Sequence, residues 1–140
     1  MSGRHNDAGQ PARSRKAAAL SGRVETGRRG EEAAAIYLAE RGYAIRHRNW
    51  RCRSGELDIV AEKDGVLVFV EVRARRAASR YGTAAESVDA RKQRQLHGVA
   101  QVYLAANGME NRALRFDVIA CTLGESPSDR IELEHIIGAF

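Results

Sequence analysis

The sequence predicts an α/β domain, a mixed central sheet flanked by helices in the order helix, three strands, helix, strand and a short last strand. Three observations carry this. "EEAAAIYLAE" (31–40) consists of strong helix formers. "GELDIVAEKDGVLVFVEVR" (55–73) is two apolar runs around an Asp-Gly pair, the signature of a β-hairpin. A second helical pattern then separates the hairpin from another apolar run, so the third and fourth strands fit a right-handed parallel crossover. The chain has 140 residues, 44% of them apolar, enough for one domain with its own core.

Residues 1–24 are rich in Arg, Ala, Gly and Ser without clear periodicity, and read as a disordered basic tail. A single domain over 25–140 follows. Its first helix is expected from Thr26, a suitable N-cap, to Arg41, with Gly42 just past the end. At about 100° per residue, Glu31, Ala34, Ala35 and Leu38 share one stripe, which puts Glu31 on or beside the buried face. Glu40 falls on the solvent side. "YAIRHRNW" (43–50) reads as the first strand. The second and third strands meet at the turn Glu62-Lys63-Asp64-Gly65. "RRAASRYGTAAES" (75–87) reads as a loop, and a helix from about Asp89 to Gly108 repeats Leu96, Val99 and Tyr103 at helical spacing, with Lys92 on the same stripe. "LRFDVIACTL" (114–123) is the fourth strand and "IELEHII" (131–137) the fifth.

The net charge is +5, a balance that favours polyanions and nucleic acid first. Part of that excess belongs to the arm: residues 1–30 hold Arg4, Arg13, Arg15, Lys16, Arg23, Arg28 and Arg29 against Asp7 and Glu25. Two cysteines, Cys52 and Cys121, with no CxxC or Cys/His cluster, speak against a structural zinc site. No run approaches the roughly 18 apolar residues of a membrane span, and the start has no apolar core like a signal peptide's. A cytoplasmic protein with reduced thiols is the expectation.

Charges interrupt the best core. In a strand, residues two apart share a face. Glu71 and Arg73 therefore point with Leu67 and Phe69, while Val66, Val68, Val70 and Val72 fill the other face. Apolar residues on both faces mark a strand buried on both sides, and the charges come only at its C-terminal end. If Asp64-Gly65 is a two-residue turn, Asp58 lies opposite Glu71 and Glu56 opposite Arg73. A four-residue loop makes Asp58 and Glu71 diagonal neighbours on one face. A three-residue loop with a Gly65 bulge sends them to opposite faces. Two carboxylates side by side repel unless a proton or cation lies between them, and Mg²⁺ takes few protein carboxylates. The plainer alternative is a Glu56–Arg73 cross-strand ion pair with Asp58 bonded to backbone N–H groups.

At these residues the chain resembles the PD-(D/E)XK nuclease superfamily: "GELDIVA", thirteen residues from Asp58 to Glu71, then "VEVR" match an Asp, a turn and an E-x-K tripeptide. It looks more closely like the YraN-like family of small bacterial proteins, through "GRRGEEAAAIYL", "RGYAI", "GELDIVA", "VFVEVR", "RYGTAAESV", "RKQRQL" and "RFDV", from about Gly27 to Phe140. The resemblance implies a restriction-endonuclease-like fold similar to archaeal Holliday-junction resolvases. It implies Glu31, Asp58 and Glu71 around Mg²⁺ or Mn²⁺, phosphodiester hydrolysis on DNA with branched DNA a candidate substrate, and for a resolvase a homodimer. Lys92 and Gln93 match a family motif that would face the site or the phosphate. Where the superfamily has Lys, this chain has Arg73, whose charge is permanent, so it acts as an electrostatic helper and not as a base.

For nucleic-acid contact the sequence offers Arg75, Arg76 and Arg80 with the loop Tyr81, besides Lys92 and Gln93. Trp50 is a further residue able to stack on bases. Arg115 and Asp117 read as a structural pair, and the four histidines have no metal spacing. Two rival readings remain open: a nucleic-acid-binding module of the same fold without turnover, and a protein-interaction or assembly domain.

Overall fold

The computed structural model describes residues 11–77 and 88–140. The elements are α1 (Pro11–Glu40), β1 (Ala44–Cys52), β2 (Gly55–Lys63), β3 (Val66–Arg76), α2 (Ala90–Ala106), β4 (Ala113–Leu123) and β5 (Glu132–Ile136). The five strands form one sheet in the order β1-β2-β3-β4-β5. β3 and β4 are parallel and every other pairing is antiparallel. The mixed α/β architecture and the crossover through α2 are as the sequence predicts.

Two boundaries differ from that expectation. α1 begins at Pro11, so the stretch read as a tail up to residue 24 is helical from there onward. Residues 1–10 lie outside the described residues. Thr26 is not a cap: its hydroxyl donates to the Gly22 carbonyl at 2.8 Å, a bond to the preceding turn of a helix already under way. Secondly, Arg75 and Arg76 belong to β3 and not to a loop, because β3 stays in register with β4 as far as Arg76 opposite Leu123. The parallel neighbour, not local sequence, sets where the strand stops.

The sheet is covered on both faces. On one, Ala34 and Leu38 of α1 pack with Ile59, Ala61, Val68, Val70 and Ile119. On the other, Leu96, Val99 and Tyr103 of α2 pack with Leu57, Val60, Leu67 and Phe69. Each fully buried Leu or Val in these layers contributes about 1.5–3 kcal/mol. Asp89 caps α2, its side chain accepting from the Lys92 backbone N–H at 2.9 Å, and so fixes where α2 begins relative to β3.

Candidate functional site

The β2–β3 turn has two residues. Asp64 (φ 51°) and Gly65 (φ 78°) both take the left-handed conformation that a tight hairpin turn of the mirror-image type needs. Lys63 pairs with Val66, and the ladder continues to Ile59 opposite Val70. One step further stand Asp58 and Glu71, but there the two strands part. The Asp58 side chain replaces the ladder, its Oδ2 accepting from the Val72 backbone N–H at 2.9 Å. β2 also loses its alternation at this point: Leu57 packs in the α2 layer and Ile59 in the α1 layer, although residues two apart should share a face. β2 thus turns about Asp58 and leaves β3, which keeps β4 as its partner. The result is a fork with two carboxylates at its base.

Those carboxylates are close enough that each shifts the other's titration. The side chain of Glu71 is only 8% exposed, and its Oε2 lies 3.4 Å from Arg73 Nε and 3.9 Å from Lys92 Nζ. Burial and then the Asp58 charge push Glu71 up to about 7, against the pull of Arg73 and Lys92. Burial raises Asp58 as well, opposed by its hydrogen bonds from Val72 and Glu71. A carboxyl pair in this state holds a proton where a cation would relieve the same repulsion.

Glu31 stands nearby without joining them. Burial raises its pKa first and the Asp58 charge second, while a hydrogen bond from Asn49 works the other way. Among the described residues, no three His, Cys, Asp or Glu side chains gather closely enough to hold a metal ion. Glu31 instead lines an open groove of about 600 Å³ with Arg28, Arg29, Arg48 and Asn49.

The other expected residues divide. Lys92 reaches the carboxylates as its helical stripe suggests. Gln93 donates from its side-chain amide to the Val88 carbonyl at 3.0 Å and holds the start of α2. Arg75 and Arg76 continue β3 beyond Arg73. Arg80 and Tyr81 lie outside the described residues. Glu56 pairs with Arg51 at 3.3 Å and not with Arg73. Trp50 is half-buried and meets the buried Tyr103 at a steep angle, 5.1 Å between ring centres.

Two polar residues were missed. Asn49 has φ 53°, a conformation that Asn tolerates better than most residues, and it holds Glu31. Gln95 donates from Nε2 to the Ser54 carbonyl at 3.2 Å and ties the β1–β2 turn to α2. Asn49 has a faint local signal as an Asn inside a strand pattern, whereas Gln95 bridges elements too far apart in sequence to leave one.

Asp117 carries a separate network. Arg115 holds it with two bonds of 2.9 Å, His135 Nε2 lies 2.7 Å from its Oδ2, and the Gly138 N–H donates at 3.0 Å. His135 Nδ1 in turn meets the Tyr37 hydroxyl at 3.1 Å, and Arg115 donates to the Tyr43 hydroxyl at 2.7 Å. This is the Arg–Asp pair expected from the sequence, extended by a histidine that spacing gave no reason to place there.

Residues 30–121 match the uncharacterised protein family UPF0102, a span that includes Glu31, Asp58, Glu71, Lys92 and Asp117. A UPF0102 protein of Myxococcus xanthus is 45% identical over 123 residues, covering 88% of this chain and 94% of its own length. One from Symbiobacterium thermophilum is 49% identical over 114 residues (81% and 94%), and one from Geobacter sulfurreducens 48% over 114 residues (81% and 87%). The family match runs from the later part of α1 through the fork and α2 into β4, and the chain belongs to the UPF0102 family.

Proposed function

We propose that this protein is a Mg²⁺- or Mn²⁺-dependent endonuclease of restriction-endonuclease-like fold that hydrolyses phosphodiester bonds in DNA, with branched DNA a candidate substrate. One observation carries the reading: a half-buried Asp58 beside the buried Glu71 at a strand fork, with Arg73 and Lys92 both beside Glu71 Oε2. Burying two adjacent carboxylates is costly unless something binds them. An Arg–carboxylate contact alone would not need the second acid.

The donor set fits a hard divalent cation. Mg²⁺ is commonly held by one or two carboxylates and completes its shell with waters and substrate phosphate. Asp58 and Glu71 would be those two ligands, with Glu31 acting from the groove beside them on the water shell. When bound, the metal would polarise the scissile phosphate and lower the pKa of a water. The chain's own groups do the rest. The Val72 N–H fixes the Asp58 carboxylate. Arg73 and Lys92 place positive charge where the phosphate would enter, and stabilise negative charge developing on it. Arg73 cannot take a proton, so the attacking water must lose its proton elsewhere.

The second reading is a nucleic-acid-binding module without turnover, favoured by Arg73 in the position of the superfamily Lys. Purified protein with Mg²⁺ or Mn²⁺ on linear, flapped and four-way DNA separates the two. Metal-dependent cutting that is lost in Glu71→Ala supports the endonuclease. Binding without cutting in either metal supports the module. A cytoplasmic location and, for resolution of junctions, a homodimer belong to the same proposal. Among the described residues, no helix is long and apolar enough to cross a membrane.

A further inference from the structure

The β1–β2 turn is docked on α2 by geometry that leaves little freedom. Gln95 Nε2 donates to the Ser54 carbonyl at 3.2 Å. Gly55 has φ 144°, and a Cβ on it would stand 2.9 Å from that amide nitrogen and 3.3 Å from Val99 Cγ2. Only glycine allows the turn to lie this close to the helix. Leu57, two residues on, is buried in the same layer as Leu96 and Val99. The start of β2 is thus drawn onto α2 just before the strand reaches Asp58.

This docking puts the turn that carries Arg53 against the helix that carries Arg91 and Lys92. Arg53 precedes Ser54 and is exposed. On α2, Arg91 lies one helical turn before Gln95 on the same stripe, also exposed, and Lys92 follows it. Asp89, Arg91, Lys92 and Gln95 line an open hollow of about 400 Å³. Lys92 connects that hollow to the carboxylates through its 3.9 Å approach to Glu71. The cations therefore extend outward from Glu71 over two elements that the Gln95–Ser54 bond joins.

We propose that the β1–β2 turn and the first turn of α2 form one phosphate-binding lip, in which Arg53 and Arg91 hold the DNA backbone next to the phosphate presented to Asp58 and Glu71. The inference rests on the nuclease-like reading of the fork and adds to it the surface along which the strand enters. The chemistry recognised is the phosphodiester backbone alone, so binding through the lip is independent of sequence and sensitive to salt.

The test is fluorescence anisotropy of a labelled random-sequence duplex in EDTA over a series of KCl concentrations, so that turnover does not intervene. Each phosphate contact on a duplex contributes about 0.9 to the slope of log affinity against log salt. Arg53→Gln/Arg91→Gln is expected to lower that slope by about 2, with the wild-type thermal midpoint kept. Arg41→Gln/Arg46→Gln, exposed positions tied to Lys63 and Glu62 at the opposite end of the hairpin, is expected to keep the wild-type slope. An unchanged slope in the lip variant, or a fall only in Arg28→Gln/Arg29→Gln on the α1 groove, overturns the lip and leaves the nuclease-like reading standing. Wild-type protein that shows no salt-dependent DNA binding overturns both.

Discussion

Neighbouring strands of this sheet each bury acid, and they treat it in opposite ways. Asp117 on β4 is 0% exposed and meets Arg115, His135 and the Gly138 N–H. Burial works to raise its pKa, but the hydrogen bonds from Arg115, Gly138 and His135 outweigh it and hold the carboxyl below its ordinary value. Glu71 on β3 is almost as buried, at 7%. Arg73 and Lys92 stand beside it, but burial and the Asp58 charge outweigh them, and its pKa moves up. The first centre is complete: every partner needed to keep a buried charge belongs to the chain. The second is strained towards a proton or a cation. Burial alone does not distinguish a structural acid from a functional one, but the balance of partners does.

The largest expected effect breaks the complete centre. Asp117→Asn leaves Arg115 beside a neutral group and weakens the ties to β5 and the chain end, and should cost about 3–5 kcal/mol in chemical denaturation. Glu71→Gln should cost far less in metal-free protein at neutral pH, because it imitates the protonated acid. Equal losses at both positions would erase the contrast.

Next in size is the response to metal. A ligand at a hundred times its dissociation constant stabilises by about 2.7 kcal/mol. Wild-type protein should gain thermal stability in excess Mn²⁺ or Mg²⁺, and Asp58→Asn should gain little. Since the cation displaces a proton, the gain should be larger at pH 8 than at pH 5.

The two acids should also differ in the sign of their pH dependence. Glu71 has its folded pKa raised from 4.5 to about 7. Its contribution to metal-free stability is full below about pH 4.5 and is lost as pH rises through about 7. Asp117 has its folded pKa lowered, so its contribution is present above the unfolded carboxylate value and is lost only as pH falls through the folded one. Urea denaturation from pH 4.5 to 8 should show the first trend in wild-type protein and a flatter curve in Glu71→Gln. The smallest effect is at the edge of the Asp117 network. Tyr37→Phe removes one hydroxyl bond to His135 and should cost about 1 kcal/mol by the same measurement.

Much of the site was legible because its causes are local. Of the three turn lengths the sequence leaves open, the two-residue Asp64-Gly65 turn is the one formed, and its register leads Asp58 towards Glu71. The helical stripe that includes Leu96 and Val99 carries Lys92 to the same place. What local patterns do not contain is the fork. It depends on β2 being drawn to α2 through Gln95 and Leu57 while β3 remains with β4. His135 was illegible for the same reason, since its partner Asp117 is supplied by strand pairing and not by spacing. The Thr26 boundary failed differently: a good capping residue can equally donate to the turn before it, and only the helix that precedes it decides.

The central claim is that Asp58 and Glu71 hold a divalent cation against a DNA phosphate. Its most direct test is cleavage of labelled linear, flapped and four-way DNA by wild-type protein and Glu71→Gln, with and without Mg²⁺ or Mn²⁺. Cutting that requires the metal and falls at least a hundredfold in the variant is the predicted result. Wild-type protein that cuts none of these substrates in either metal, or a variant that cuts as fast as wild type, would contradict it.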